Sequence, residues 1–85
     1  MTIDHEGATP KYLQLAAILR KRIESGEIPP GRRIPSETEL EAEFDLARGT
    51  IRAAIVALRD AGLVETVRGK GSFVVGPGND GEPQS

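Results

Sequence analysis

Between Pro35 and Gly62 the chain carries two helix signatures with room for no more than a tight turn between them, and this fixes the centre of any fold it can adopt. The first opens at Pro35-Ser36-Glu37-Thr38-Glu39-Leu40, where Ser36 and Glu39 stand at capping-box spacing. The Ser36 hydroxyl can accept from the Glu39 amide while the Glu39 carboxylate reaches back to the Ser36 amide. An acidic first turn suits the positive end of the helix. The spacing predicts a short helix over about 37–44, burying Leu40 and Phe44, with a stop at Asp45-Leu46 because Asp tolerates a left-handed backbone. A second helix is predicted over about 48–61, with Ile51, Ala54, Ile55 and Leu58 as its buried stripe and Gly62 at its C-terminal stop.

Upstream, the pattern predicts a further helix over about 10–25. Thr9 stands where a cap belongs and Pro10 where the first turn tolerates proline. Tyr12, Leu15, Ala16, Leu19 and Ile23 recur as one apolar stripe, and Gly26 closes the helix. The prolines of Glu27-Ile28-Pro29-Pro30-Gly31 exclude helix there, and Arg32-Arg33-Ile34 has the length of a short edge strand at most. Downstream, Leu63–Val67 and Ser72–Val75 are β-branched or aromatic runs around Arg68-Gly69-Lys70-Gly71, which reads as a hairpin with a basic tip. Residues 1–9 read as a flexible segment, 10–75 as one domain and 76–85 as a disordered tail with nothing to bury. Tyr12, Phe44 and Phe73, the only aromatics, are expected in the core. The fold class is therefore mainly α with a small β-hairpin: three helices plus a two- to three-stranded wing, a winged helix-turn-helix.

Composition narrows the chemistry. A chain of 85 residues supports one small core with a thin margin of stability. With no cysteine, and with His5 the only histidine, neither a disulfide frame nor a zinc site is expected, and no cofactor is. No nucleophile–base pair or phosphate-binding loop is present, so the chain does not read as an enzyme. The longest apolar run, Ala53 to Leu58, falls far short of the roughly 20 residues of a membrane span. The N-terminus lacks a signal pattern, so a cytoplasmic protein is expected.

A formal net charge of −2 argues, by itself, against nucleic-acid binding. The average hides an asymmetry. Residues 37–45 hold Glu37, Glu39, Glu41, Glu43 and Asp45 without a cation, and their alternate spacing predicts a solvated helix face rather than a cation site. Residues 48–70 hold Arg48, Arg52, Arg59, Arg68 and Lys70 against Asp60 and Glu65. Arg48 and Arg52 stand one turn apart at the start of the last helix, beside Gly49 and Thr50. Guanidinium forks match phosphates or the O6 and N7 acceptors of guanine, and a recognition helix reads bases with its N-terminal residues. Arg33 can meet a phosphate or pair with the acidic helix. Ala53, Val56 and Ala57 fall off the buried stripe, which leaves plain surface or a self-association face as readings.

At this point the sequence resembles a family. Pro30-Gly31, Ile34-Pro35-Ser36-Glu37, Glu39-Leu40, Phe44, Arg48, Thr50-Ile51-Arg52, Gly62-Leu63-Val64 and Gly69-Lys70-Gly71-Ser72-Phe73-Val74 together look like the N-terminal DNA-binding domain of GntR-family bacterial transcription regulators. The opening Pro10-Lys11-Tyr12 is similar to the branch holding sugar- or histidine-utilisation repressors. The resemblance covers residues 10–75. It implies operator contacts from Arg48, Thr50 and Arg52, and a wing tip of Arg68, Gly69 and Lys70 entering the minor groove. Three positions depart from the family pattern: Thr38 where an arginine is usual, Ala47 where a capping serine is usual, and Asp45 where a glycine is usual.

The expectation is a sequence-specific, non-enzymatic transcription regulator of repressor type whose partner is double-stranded DNA, with no membrane and no small-molecule effector site evident. Family members add an effector-binding, dimerising domain. Two readings follow: a homodimer on a palindromic operator through another surface, or an excised DNA-binding domain of a longer effector-responsive regulator. The rival is a winged-helix protein-interaction module without specific DNA binding.

Overall fold

The computed structural model describes residues 3 and 6–75; the tail expected over 76–85, and His5, lie outside the described residues. The elements run α1 (Lys11–Glu24), α2 (Glu37–Phe44), α3 (Arg48–Asp60), β1 (Val64–Val67) and β2 (Gly71–Val74).

The capping box forms as its spacing predicts. Ser36 Oγ accepts from the Glu39 amide at 3.1 Å, and Glu39 Oε1 accepts from the Ser36 amide at 2.7 Å. Asp45 ends α2 in the left-handed region (φ 57°, ψ 49°), turning the chain into α3 within three residues. Ala47 caps α3 with no side-chain hydrogen bond, so the missing hydroxyl is not replaced by Asp45 or any other described side chain.

α1 begins at Lys11, one residue later than expected, with Pro10 as its N-cap. Thr9 does not cap it through its side chain; its carbonyl instead accepts from the Gln14 side-chain amide at 2.8 Å. The buried face of α1 is Leu15, Ala16, Ile18 and Leu19, with Ile23 packed beside it. Tyr12, expected in the core, is 37% exposed, and Ile18 takes up the stripe in its place.

The core joins these residues to Ile28, Ile34, Leu40, Phe44, Leu46, Ile51, Ala54, Leu58, Val64 and Val74. Leu15, Leu19, Leu40 and Ile51 are fully buried, each contributing roughly 1.5–3 kcal/mol by leaving water. Arg22 ties α1 to α2 from outside the core. Its guanidinium donates to both Glu43 oxygens and lies 5.5 Å from the centroid of the Phe44 ring.

β1 and β2 pair antiparallel with Val64 opposite Val74 and Val67 opposite Gly71. Period-two alternation then turns Ser72 and Val74 inward, which leaves Phe73 half-buried rather than in the core as expected. The Arg32–Ile34 segment lies along the other edge of β2. Ile34 N–H donates to Ser72 O, Val74 N–H to Arg32 O and Gly31 N–H to Val74 O, each at 2.9 Å. The wing is thus three-stranded in its hydrogen bonding, with β2 in the middle.

Candidate nucleic-acid interface

α3 and the wing face each other across an open cleft of about 680 Å³, which Arg33 to Thr38 also line. One wall is the α3 face carrying Arg48, Arg52, Val56 and Arg59; the other is the wing from Thr66 to Ser72. The cleft is lined by six cations, Arg33, Arg48, Arg52, Arg59, Arg68 and Lys70, and by one carboxylate, Glu37. A chain of formal charge −2 therefore concentrates positive charge on one concave face.

The cleft brings Arg33, Arg48, Arg52, Arg68, Gly69 and Lys70 together, while Gly49 and Thr50 sit in the first turn of α3 outside its lining. Gly49 is exposed, and a Cβ there would meet nothing within 4 Å. At the wing tip the Lys70 amide donates to Val67 O at 2.9 Å, a turn whose third residue, Gly69, has φ 77°, which glycine takes without steric cost. Arg33 makes no ion pair with the acidic helix among the described residues.

The acids of α2 do not form the uniformly solvated face expected of them. Glu37 and Glu41 lie one turn apart facing the start of α3. Arg48 Nε donates to Glu41 Oε2 at 2.6 Å and is 3.8 Å from Glu37 Oε1, while Arg48 Nη2 reaches Thr38 Oγ1 at 3.4 Å. Arg52 Nε shares its proton between the two Glu37 oxygens, each at 3.2 Å. The hydrogen bond from Arg48 holds the Glu41 carboxyl below its ordinary range. Two acids and two arginines, each pair at i, i+4 and on helices joined by a three-residue turn, were the available signal. Their meeting depends on the angle between the helices, which neither helix's own periodicity contains.

Among the described residues no group of three or more potential metal ligands occurs and no helix is long and apolar enough to cross a membrane. What the arrangement offers chemically is donors. They are planar guanidinium forks on a helix, with an ammonium and glycine backbone on a projecting turn opposite, groups able to donate hydrogen bonds to anionic acceptors.

Comparison with known proteins agrees with this geometry. Residues 11–74 match the family described as bacterial regulatory proteins, gntR family. The mannosyl-D-glycerate transport/metabolism system repressor MngR of Escherichia coli is 37% identical over 80% of this chain and 28% of its own length. The arabinose metabolism transcriptional repressor of Geobacillus stearothermophilus is 39% identical over 85% of this chain and 20% of its own. The chain thus spans under a third of the length of these curated relatives. Among solved structures, AraR(DBD) in complex with an operator superposes with a TM-score of 0.77 at 39% identity, covering 88% of this chain and 90% of that one.

Proposed function

Because this chain belongs to the GntR family of bacterial regulatory proteins, we propose that it binds double-stranded DNA sequence-specifically and regulates transcription as a repressor, by occupying promoter DNA in the cytoplasm. The observation that carries the reading is the juxtaposition of Arg48 and Arg52 with Arg68 and Lys70 across one cationic cleft. The N-terminal turn of α3, with Arg48, Gly49, Thr50 and Arg52, enters the major groove. The wing tip, Arg68 to Lys70, reaches the adjacent minor groove, where glycine lets the backbone come close. Arg33, which also lines the cleft, meets a phosphate. Two copies related by two-fold symmetry read a palindromic operator, one half-site each. The likeness to a DNA-binding domain held on its operator supports this over a protein-interaction role, and the named relatives are regulators rather than enzymes.

Fluorescence anisotropy tests it. The chain is titrated with the duplex upstream of its own gene and with a scrambled duplex, across salt, beside the Arg48→Ala/Arg52→Ala double variant. The promoter duplex is expected to bind more tightly, the double variant to lose that preference, and log Kd to rise with log salt by about 0.9 per phosphate neutralised. Equal, weak binding of both duplexes, unchanged in the double variant, sinks the proposal.

A further inference from the structure

Arg48 is held along one edge of its guanidinium. Nε donates to Glu41 Oε2 at 2.6 Å, shorter than the other ion pairs of the cleft arginines, and Nη2 reaches Thr38 Oγ1 at 3.4 Å. In a planar fork, Nε and Nη2 share one edge. The terminal edge, made by Nη1 and the remaining Nη2 proton, has no partner among the described residues, and the side chain is 47% exposed. That terminal edge is the pair of parallel donors that fits O6 and N7 of guanine. Arg52 repeats the arrangement, with Nε held by Glu37 and both terminal nitrogens without a partner among the described residues.

A carboxylate here carries two physical consequences. It restricts an otherwise mobile arginine before DNA arrives, so less ordering remains to be done on binding. It also places negative charge beside the approaching backbone, which weakens every DNA complex in which Arg48 merely neutralises a phosphate. The first favours the correct base; the second penalises non-specific contact. Both increase discrimination, and the second does so at the expense of raw affinity.

We infer that Glu41 is a positioning and specificity-determining residue for DNA recognition: it holds Arg48 by its Nε edge, aims the terminal edge at a base, and withholds the arginine from non-specific phosphate contact. The inference rests on Arg48 being a DNA-contacting residue. Glu41 itself touches no base.

The test compares the ratio of promoter to scrambled affinity in the whole chain and in four variants, each checked for folding by far-UV circular dichroism. Glu41→Gln is expected to tighten the scrambled complex and to lower the ratio at least about fivefold, the low end of what one bidentate base contact discriminates. The salt slope on scrambled DNA should steepen by about 0.9 as Arg48 takes one further phosphate. Glu41→Asp keeps the charge but is one methylene too short for Nε, and it is expected to lose the ratio as well. Glu24→Gln, which removes the same charge from the Arg20 pair on α1, is expected to leave it unchanged. A ratio within about twofold of wild type in Glu41→Gln overturns the inference. So does a ratio kept by Asp and lost by Gln, which would make charge alone responsible. If Arg48→Ala leaves promoter binding intact, it is the DNA-contact reading of Arg48 that fails, and this inference falls with it.

Discussion

The stem of Arg33 lies so close to Gly71 that a Cβ on the glycine would sit 2.9 Å from Arg33 Cδ and 3.4 Å from Cγ. Gly71 also has φ 114°, a backbone conformation that other L residues rarely adopt. Gly71→Ala is therefore expected to cost about 1–3 kcal/mol in urea unfolding, and to weaken promoter binding by displacing Arg33. Gly49→Ala is the contrast. It lies in the first turn of α3 in open space with a backbone that alanine takes without strain, so it should gain about 0.4–1 kcal/mol. A gain in stability with a loss of promoter affinity would mean that the backbone at Gly49 closely approaches DNA.

Arg22 is mostly covered, donates to both Glu43 oxygens and faces the Phe44 ring, whereas Glu43 itself stays well exposed. Solvent screening limits the ion pair, so Arg22→Ala is expected to cost about 1 kcal/mol of stability, part of it lost packing on Phe44. Arg22→Lys should recover less than half, because an ammonium cannot fork across two carboxylate oxygens. Chemical denaturation of the two variants decides it.

α3 starts at an alanine whose backbone already has cap geometry, φ −66° and ψ 150°. Ala47→Ser adds a hydroxyl able to accept from the amides of the first turn, and it should stabilise the chain by about 1 kcal/mol. The measurement is the thermal midpoint. An unchanged midpoint would show that those amides are already satisfied in the native state by something other than a described side chain.

Three glutamates of α2 are held below their ordinary value of 4.5. Glu39 is lowered first by the Ser36 backbone amide and then by its hydroxyl, Glu41 by Arg48, and Glu43 by Arg22. A folded-state pKa below the unfolded one gives stability that is complete above the unfolded value and is lost as pH falls through the folded one. The thermal midpoint is therefore expected to hold steady from about pH 7 to pH 5.5 and to fall below about pH 4.5. Glu39→Gln keeps the capping box but removes one titrating group, so its acid decline should be shallower.

The helical half of the fold was legible because its signals are local. Ser36 and Glu39 need only each other, and Asp45 and Gly62 end helices through their own backbone, so α2 and the stops of both helices stand where the residues put them. The misplaced residues answer to distant partners. The periodicity of α1 puts Tyr12 in its stripe and leaves Ile18 out, yet Ile18 is buried and Tyr12 exposed, because which side of α1 meets the rest of the core is set by tertiary packing. Phe73 looks like core by composition, yet the register that sets Val74 opposite Val64 turns it the other way. The cationic cleft was readable as a list of arginines and a wing tip. The carboxylates that hold two of those arginines were not, since their reach is set by the crossing of α2 and α3.

The strand that completes the wing, Arg32 to Ile34, precedes both α2 and α3, while its partner β2 follows them. Closing that pair encloses two helices in one loop, and the entropy of closure falls due before the hydrogen bonds form. The third strand should accordingly join last and leave first, with the amides of Ile34 and Val74 exchanging with deuterium sooner than those in the middle of α3. The lining of the cleft would then differ in age during folding, a helix wall already set and the Arg33–Ile34 edge arriving late. Whatever shifts that late edge alone tunes the cleft without unfolding the helices.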